Sequence, residues 1–201
     1  MRIGLLGGTF DPVHNGHLAI AEAVMSGLGL DEVIFMPAAQ TPLKEDRDIS
    51  AAEHRIEMVN LAIKGIPYFR LSTIELNRIG PSYTIDTVSE LRELIGEDSE
   101  LFFIMGCDSL ASFPQWKEPE RLIQACRLVA VPRPGCAIPD LASLEKEVPG
   151  ISGNAIILDG PHIDVSATEI REKVSKGLAI SNLVPASVEE YIKQHGLYQG
   201  S

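Results

Sequence analysis

Apolar residues gather in short runs along this chain, and the runs alternate with longer stretches in which apolar positions recur every three or four residues. Ile3–Leu6 is too short for a helix and reads as a buried strand. His17–Ser26 carries helical spacing and predicts the first helix, with Gly27 as its stop. Val33–Met36 predicts a second strand ended by Pro37. Ser50-x-x-Glu53 has the form of a capping box, and it predicts a helix from Ala51 to about Lys64 with Gly65 behind it. Phe69–Glu75 predicts a strand and Thr84–Ile95 a helix. Leu101–Met105, Leu128–Val131 and Ala155–Leu158 are apolar runs too short for helices. A second capping box, Ser166-x-x-Glu169, opens a helix to about Lys176 before Gly177, and Pro185 to about His195 makes a last helix stopped by Gly196. Pro132–Gly135 and the stretch from Pro139 to Gly153 read as irregular.

Strands separated by helices of about 10–15 residues are βαβ units. The predicted fold class is therefore α/β, a Rossmann-like open parallel sheet with helices on both faces. Such sheets bind ligands beyond the carboxyl ends of their strands, at a topological switch point. With 201 residues, 45% of them hydrophobic and 22% charged, the chain has the length and composition of one globular domain. The expectation is a single unit over 1–201 with a helical C-terminal part from about 166. The formal charge of −11 argues against general nucleic-acid or anionic-membrane binding, which needs a basic surface. Anionic small molecules need only a local cluster of donors and a cation. Cys107, Cys126 and Cys136 are odd in number and form no C-x-x-C pair, against a disulfide scaffold or a four-cysteine zinc site. The apolar stretch after Met1-Arg2 is too short for a signal peptide, and no run approaches the roughly 18 residues that span a bilayer. The expected location is cytoplasmic.

Chemistry concentrates in Gly7-Gly8-Thr9-Phe10-Asp11-Pro12-Val13-His14-Asn15-Gly16-His17, between the first predicted strand and the first helix. Gly7 and Gly8 carry no side chain where a phosphate could approach the backbone, and N–H groups at a helix start favour anions. His14 and His17 are three apart and share a helical face. Two imidazoles there could donate to phosphate oxygens. The bland alternatives are a simple Gly-Gly turn, a structural histidine, or a metal pair that lacks an evident third ligand. The spacing is neither G-x-G-x-x-G nor a P-loop.

This segment resembles the (G/S)-x-(F/T)-D-P-x-H-x-G-H signature of nucleotidyltransferases, and specifically the bacterial nicotinate mononucleotide adenylyltransferases. The resemblance runs along nearly the whole chain. It includes Ser50–Leu61 with His54-Arg55, Arg78-x-Gly80-Pro81-Ser82-Tyr83-Thr84-Ile85-Asp86-Thr87, and Phe103-Ile104-Met105-Gly106-Cys107-Asp108-Ser109-Leu110 with Trp116. It continues through Arg133-Pro134-Gly135, Ser166-Ala167-Thr168-Glu169-Ile170-Arg171 and the closing Gly196-Leu197-Tyr198. Two positions depart from it. Thr41-Pro42-Leu43-Lys44 stands where the family has Pro-Pro-His-Lys, and Ala167 replaces the middle residue of Ser-Ser-Thr.

The resemblance implies transfer of AMP from ATP to nicotinate mononucleotide, giving the deamido dinucleotide and pyrophosphate. The nucleophile is the mononucleotide's own phosphate, ionised at neutral pH, so no strong general base is needed; positioning and charge stabilisation remain. The implied catalytic residues are His14, His17 and Arg171. Gly8 and Thr9 would donate to phosphate oxygens, Thr168 and Arg171 would hold the β- and γ-phosphates, and Lys44 would be a further ligand contact. Ser166 is either a ligand contact or a helix cap only. Gly106 and Asp108 fall on the adenosine side, Asp108 accepting from ribose hydroxyls unless it is merely a helix cap. Trp116, the single tryptophan, would stack on the pyridine ring, although a lone tryptophan is commonly core. Tyr83 and Thr84 would read the nicotinate carboxylate, largely through backbone N–H groups at a helix start. Mg²⁺ is expected with ATP, held mainly by phosphates and water, with no protein metal cage. Partners are thus ATP and nicotinate mononucleotide, not nucleic acid or membrane, and a homo-oligomer is compatible with the sequence. The rivals are a phosphopantetheine-type transferase of the same superfamily and a non-catalytic nucleotide-binding module.

Overall fold

The computed structural model describes residues 1–39, 49–78, 80, 82–96, 98–132, 134–160 and 165–200. Among these residues six strands form one sheet: β1 (Arg2–Gly8), β2 (Glu32–Pro37), β3 (Phe69–Leu71), β4 (Glu100–Gly106), β5 (Arg127–Val131) and β6 (Ile156–Ile157). Every neighbouring pair is parallel and the order is β3-β2-β1-β4-β5-β6. The chain runs outward from β1 to β3, crosses back over β1 and runs outward again from β4. The direction reverses between β1 and β4, so their carboxyl ends splay into a crevice.

The helices of the described residues are α1 (Asn15–Leu28), α2 (Ala52–Ile63), α3 (Thr84–Ile95), α4 (Cys107–Ala111), α5 (Pro119–Ala125), α6 (Leu141–Glu147), α7 (Ile151–Asn154), α8 (Ala167–Ser175) and α9 (Ala186–Gln194). Successive strand residues point to opposite faces, and both faces are apolar. Leu6, Val33, Phe35, Phe102, Ile104 and Val129 pack in one core with α1, α2, α8 and α9, through Val24, Met58, Ile170 and Val188. Ile3, Leu5, Ile34, Met36, Phe103 and Leu128 face the other core, with α3 to α7 contributing Val88, Leu110, Leu122, Leu144 and Ile151. Parallel order and two-sided helical cover make this a Rossmann-like α/β sheet. No helix among the described residues is long and apolar enough to cross a membrane.

Several boundaries differ from the sequence expectation, each for a local reason. Helix α1 continues through Gly27, where an added Cβ would lie 3.0 Å from Leu158, and stops at Gly29 in the left-handed region (φ 59), which glycine adopts without strain. Pro37 is the last residue of β2 rather than its stop. The capping box at Ser50 does not form: Ala51 holds the N-cap position without a side-chain bond. Ser50 instead gives its N–H to Asp11 and its carbonyl to Arg55. The expected strand Phe69–Glu75 ends at Leu71, and Glu75–Asn77 forms a 3₁₀ turn. The stretch 139–153, read as irregular, holds α6 and α7. Asp140 caps α6, and the Glu145 carboxylate accepts from the N–H groups of Gly150 and Ser152 at the start of α7. At seven and four residues these helices are too short for a periodic pattern to register.

Candidate active site

A cleft of about 420 Å³ opens beyond the carboxyl ends of β1 and β4. Three helices of nine or more residues turn their amino ends to it: His14 precedes α1, Thr84 opens α3, and Ser166 precedes α8. Short α4 does the same from Gly106. The positive ends of helix dipoles therefore converge on one volume, which favours a polyanion. The first turn of α1 holds no acidic residue to compete for them.

At the β1–α1 junction, Gly8 and Thr9 line the cleft, and a Cβ on Gly8 would crowd the Phe10 ring at 3.1 Å. Phe10 is in the left-handed region (φ 51), a conformation that costs an L-residue about 1–2 kcal/mol. Complete burial of its ring between Phe35 and His17 offsets this. The rings of His14 and His17 stack with centroids 3.7 Å apart. The His14 backbone N–H donates to His17 Nδ1 at 3.2 Å. An accepting Nδ1 places the proton of a neutral imidazole on Nε2, so that nitrogen is a donor.

Across the cleft, α8 supplies the cation. Arg171 Nη1 donates to the Asp11 carbonyl at 2.7 Å and Nη2 to Thr168 Oγ1 at 3.3 Å. A guanidinium has five N–H donors in a planar fork, so others remain for a ligand. Arg171, Thr168, His14 and His17 line the same cleft. Ser166 also lines it and caps α8 by accepting from the Glu169 N–H at 3.1 Å.

The other end of the cleft is formed by Gly106, Asp108, Thr84, Glu75 and Trp116. Asp108 lies in the first turn of α4 while Gly106 holds the N-cap position, so the cap alternative for Asp108 does not apply. Trp116 packs edge-on to Phe103 (5.8 Å between centroids) and against Phe113 (5.4 Å), yet it also lines the cleft. Its Nε1 is buried with no hydrogen-bond partner among the described residues. Thr84 faces the cleft, but Tyr83 is outside its lining and sits under the Lys117 ammonium, 4.5 Å from the ring centroid. Lys44 lies outside the described residues.

Four residues with no role expected from the sequence belong to this region. Glu75 is 8% exposed and accepts from the Thr87 hydroxyl at 2.8 Å. Burial raises its pKa, against hydrogen bonds from Thr87 and Ser82 and the nearby Arg78 charge. Arg55 is buried against the β1–α1 junction, and Asp11, within that junction, is buried while still lining the cleft. Burial lowers the Arg55 pKa, and the Asp11 carboxylate is the first influence opposing that. Tyr198 donates its hydroxyl to Asp11 at 2.6 Å, and burial followed by the Asp11 charge drives its pKa well above the usual phenol range.

A parallel sheet in this order, with an anion-receiving cleft at its switch point, defines a class: residues 5–173 match the model of the cytidylyltransferase-like family. The chain belongs to that family, and within it to the nicotinate-nucleotide adenylyltransferases. It is 48% identical to a "Probable nicotinate-nucleotide adenylyltransferase" of Dehalococcoides mccartyi over 98% of this chain and 97% of that protein. It is 44% identical to a relative of the same description from a Roseiflexus species, over 98% of both chains. Among solved structures it resembles the Plasmodium falciparum nicotinic acid mononucleotide adenylyltransferase complexed with NaAD. That likeness has a TM-score of 0.79 and 19% identity, over 98% of this chain and 97% of that one, and it bears on the fold.

Proposed function

We propose that this cleft transfers the AMP moiety of ATP to nicotinate mononucleotide, forming nicotinate adenine dinucleotide and releasing pyrophosphate. The observation that carries this reading is the convergence of helix amino ends, two histidines and Arg171 on one cleft. The naming of the relatives supports the choice of nucleotides. The mononucleotide phosphate attacks the α-phosphorus of ATP, a bond forms between its oxygen and that phosphorus, and the bond to the β-phosphate bridging oxygen breaks. The nucleophile is already anionic, so the protein's task is in-line placement and stabilisation of spreading charge.

In this reading Gly8 and Thr9 offer backbone N–H groups to phosphate oxygens, and His14 and His17 donate to the triphosphate. Thr168 and Arg171 hold the departing β- and γ-phosphates from the opposite wall. Ser166 is the cap of α8 and adds its amino end to the same charge. Gly106 and Asp108 receive the adenosine side, and Trp116 and Thr84 the pyridine ring and its carboxylate, with Tyr83 contributing as the residue that precedes α3. Lys44 would be a further ATP contact. Mg²⁺, when bound with ATP, would be held mainly by the phosphates and water and would supply positive charge to the leaving pyrophosphate. The test is pyrophosphate release from ATP and Mg²⁺ with nicotinate mononucleotide, nicotinamide mononucleotide or phosphopantetheine as acceptor. Release with the first well above the other two is expected. Release with phosphopantetheine alone would move the chain to a sister activity, and no release with any acceptor would favour a binding module.

A further inference from the structure

A second layer of hydrogen bonds supports the cleft, centred on Arg55, Asp11 and Tyr198, to which the reaction above gives no role. Arg55, 3% exposed, reaches from α2 to three separate segments. Its Nη1 donates to the carbonyls of Thr9 at 2.9 Å and Ala38 at 2.7 Å, and its Nε to that of Ser50 at 3.1 Å. Asp11, also 3% exposed, accepts from the Ser50 N–H at 3.1 Å and from the Tyr198 hydroxyl at 2.6 Å. The Asp11 carbonyl in turn accepts from Arg171 at 2.7 Å.

These bonds set directions as well as distances. A trans peptide points its N–H opposite to its C=O, and the only cis bond among the described residues is Asp11-Pro12. Anchoring the Thr9 carbonyl on Arg55 therefore turns the Phe10 N–H away from Arg55. Phe10 cannot relax, because its left-handed backbone is held on both sides. Tyr198 closes the arrangement from 187 residues further along the chain. The guanidinium of Arg171 rests on the same short loop, so a shift of Asp11 moves a cleft donor as well as the loop.

We propose that Arg55 and Tyr198 are positioning residues for adenylyl transfer: Arg55 acts through the Thr9 carbonyl and Tyr198 through the Asp11 carboxylate to aim the phosphate-binding loop and Arg171. This rests on the reaction proposed above. Neither residue lines the cleft, so their effect falls on geometry and thus on turnover.

The test compares wild type, Tyr198→Phe, Arg55→Lys, Asp11→Asn and the Tyr198→Phe/Asp11→Asn double variant. The readouts are kcat, KM for each substrate, and thermal unfolding. Tyr198→Phe removes one hydroxyl and keeps the ring. It is expected to lower kcat roughly tenfold, as a small misplacement of catalytic groups does, with the pyridine-nucleotide KM within about twofold. Arg55→Lys keeps the charge and loses the fork, and a larger fall in kcat is expected. The double variant should cost less than the product of the two single effects, because Tyr198→Phe removes, and Asp11→Asn weakens by loss of charge, the same bond. A fall in melting temperature with kcat per folded enzyme unchanged in Tyr198→Phe would overturn the proposal. Tyr198→Phe decides alone if Arg55→Lys does not fold. A wild type that releases no pyrophosphate would instead overturn the reaction itself, and the two failures are told apart by that first measurement.

Discussion

The two ends of the cleft are built on different principles. One, the proposed phosphate end, is made of helix starts, loop amides and Arg171, and its loop is tied down from α2 and from near the chain's last residues by Arg55, Asp11 and Tyr198. The other, the proposed pyridine end, presents side chains: Trp116, whose buried indole N–H has no partner among the described residues, and Glu75 held by Thr87. A backbone cradle stabilises charge wherever phosphates sit and reads little else. Side chains around an aromatic ring read shape and leave turnover to the other end. Damage to the first region should therefore appear in kcat, and damage to the second in the acceptor KM.

The largest expected effect is at the phosphate end. His17→Ala should lower kcat by roughly 10²–10³ if its Nε2 donor acts on the transition state; near-normal turnover would remove His17 from the mechanism. Next comes the pyridine end, where base–aromatic stacking is worth about 1–3 kcal/mol. Trp116→Ala should raise the KM for nicotinate mononucleotide roughly tenfold with the ATP KM little changed, and an unchanged acceptor KM would assign Trp116 to the core. A subtler effect concerns Glu75. Its folded pKa is raised by burial above the ordinary 4.5, so its contribution to stability is present below pH 4.5 and is lost as pH climbs through the raised value. Glu75→Gln should thus gain stability relative to wild type between pH 4.5 and neutrality. A melting-temperature difference that stays flat across that window would contradict the sign. The smallest effect is Ser166→Ala, which should cost about 1 kcal/mol of stability through loss of the α8 cap while leaving kcat near wild type. A large kcat loss would make Ser166 a ligand contact as well.

The phosphate end was the more legible of the two in the sequence. Gly7-Gly8 and the paired histidines sit at a strand-to-helix junction, which alternation of short apolar runs and periodic stretches locates without any structure. The same pattern points to the parallel sheet with helices on both faces, because β1, β2, β4 and β5 are apolar and buried at successive positions rather than at every other one. What stayed hidden was the bracing. Arg55 lies in a helix whose other charged residues face solvent, and Tyr198 lies next to the chain end, a place with no periodic signal. Their burial depends on contacts 46 and 187 residues away in sequence. Ser50 shows the same limit. Its spacing to Glu53 matches a capping box, but Asp11 and Arg55 bind its backbone and the box never forms. The apolar neighbours of Glu75 predict a strand, whereas its buried carboxylate is held where Thr87 and Ser82 can satisfy it.

A crystal structure with a non-hydrolysable ATP analogue and nicotinate mononucleotide would test the central claim most directly. The expected result is triphosphate oxygens within hydrogen-bond distance of the Gly8–Thr9 amides, His17 Nε2 and the Arg171 guanidinium, with the pyridine ring on Trp116. A triphosphate seated away from both imidazoles and Arg171 would contradict it.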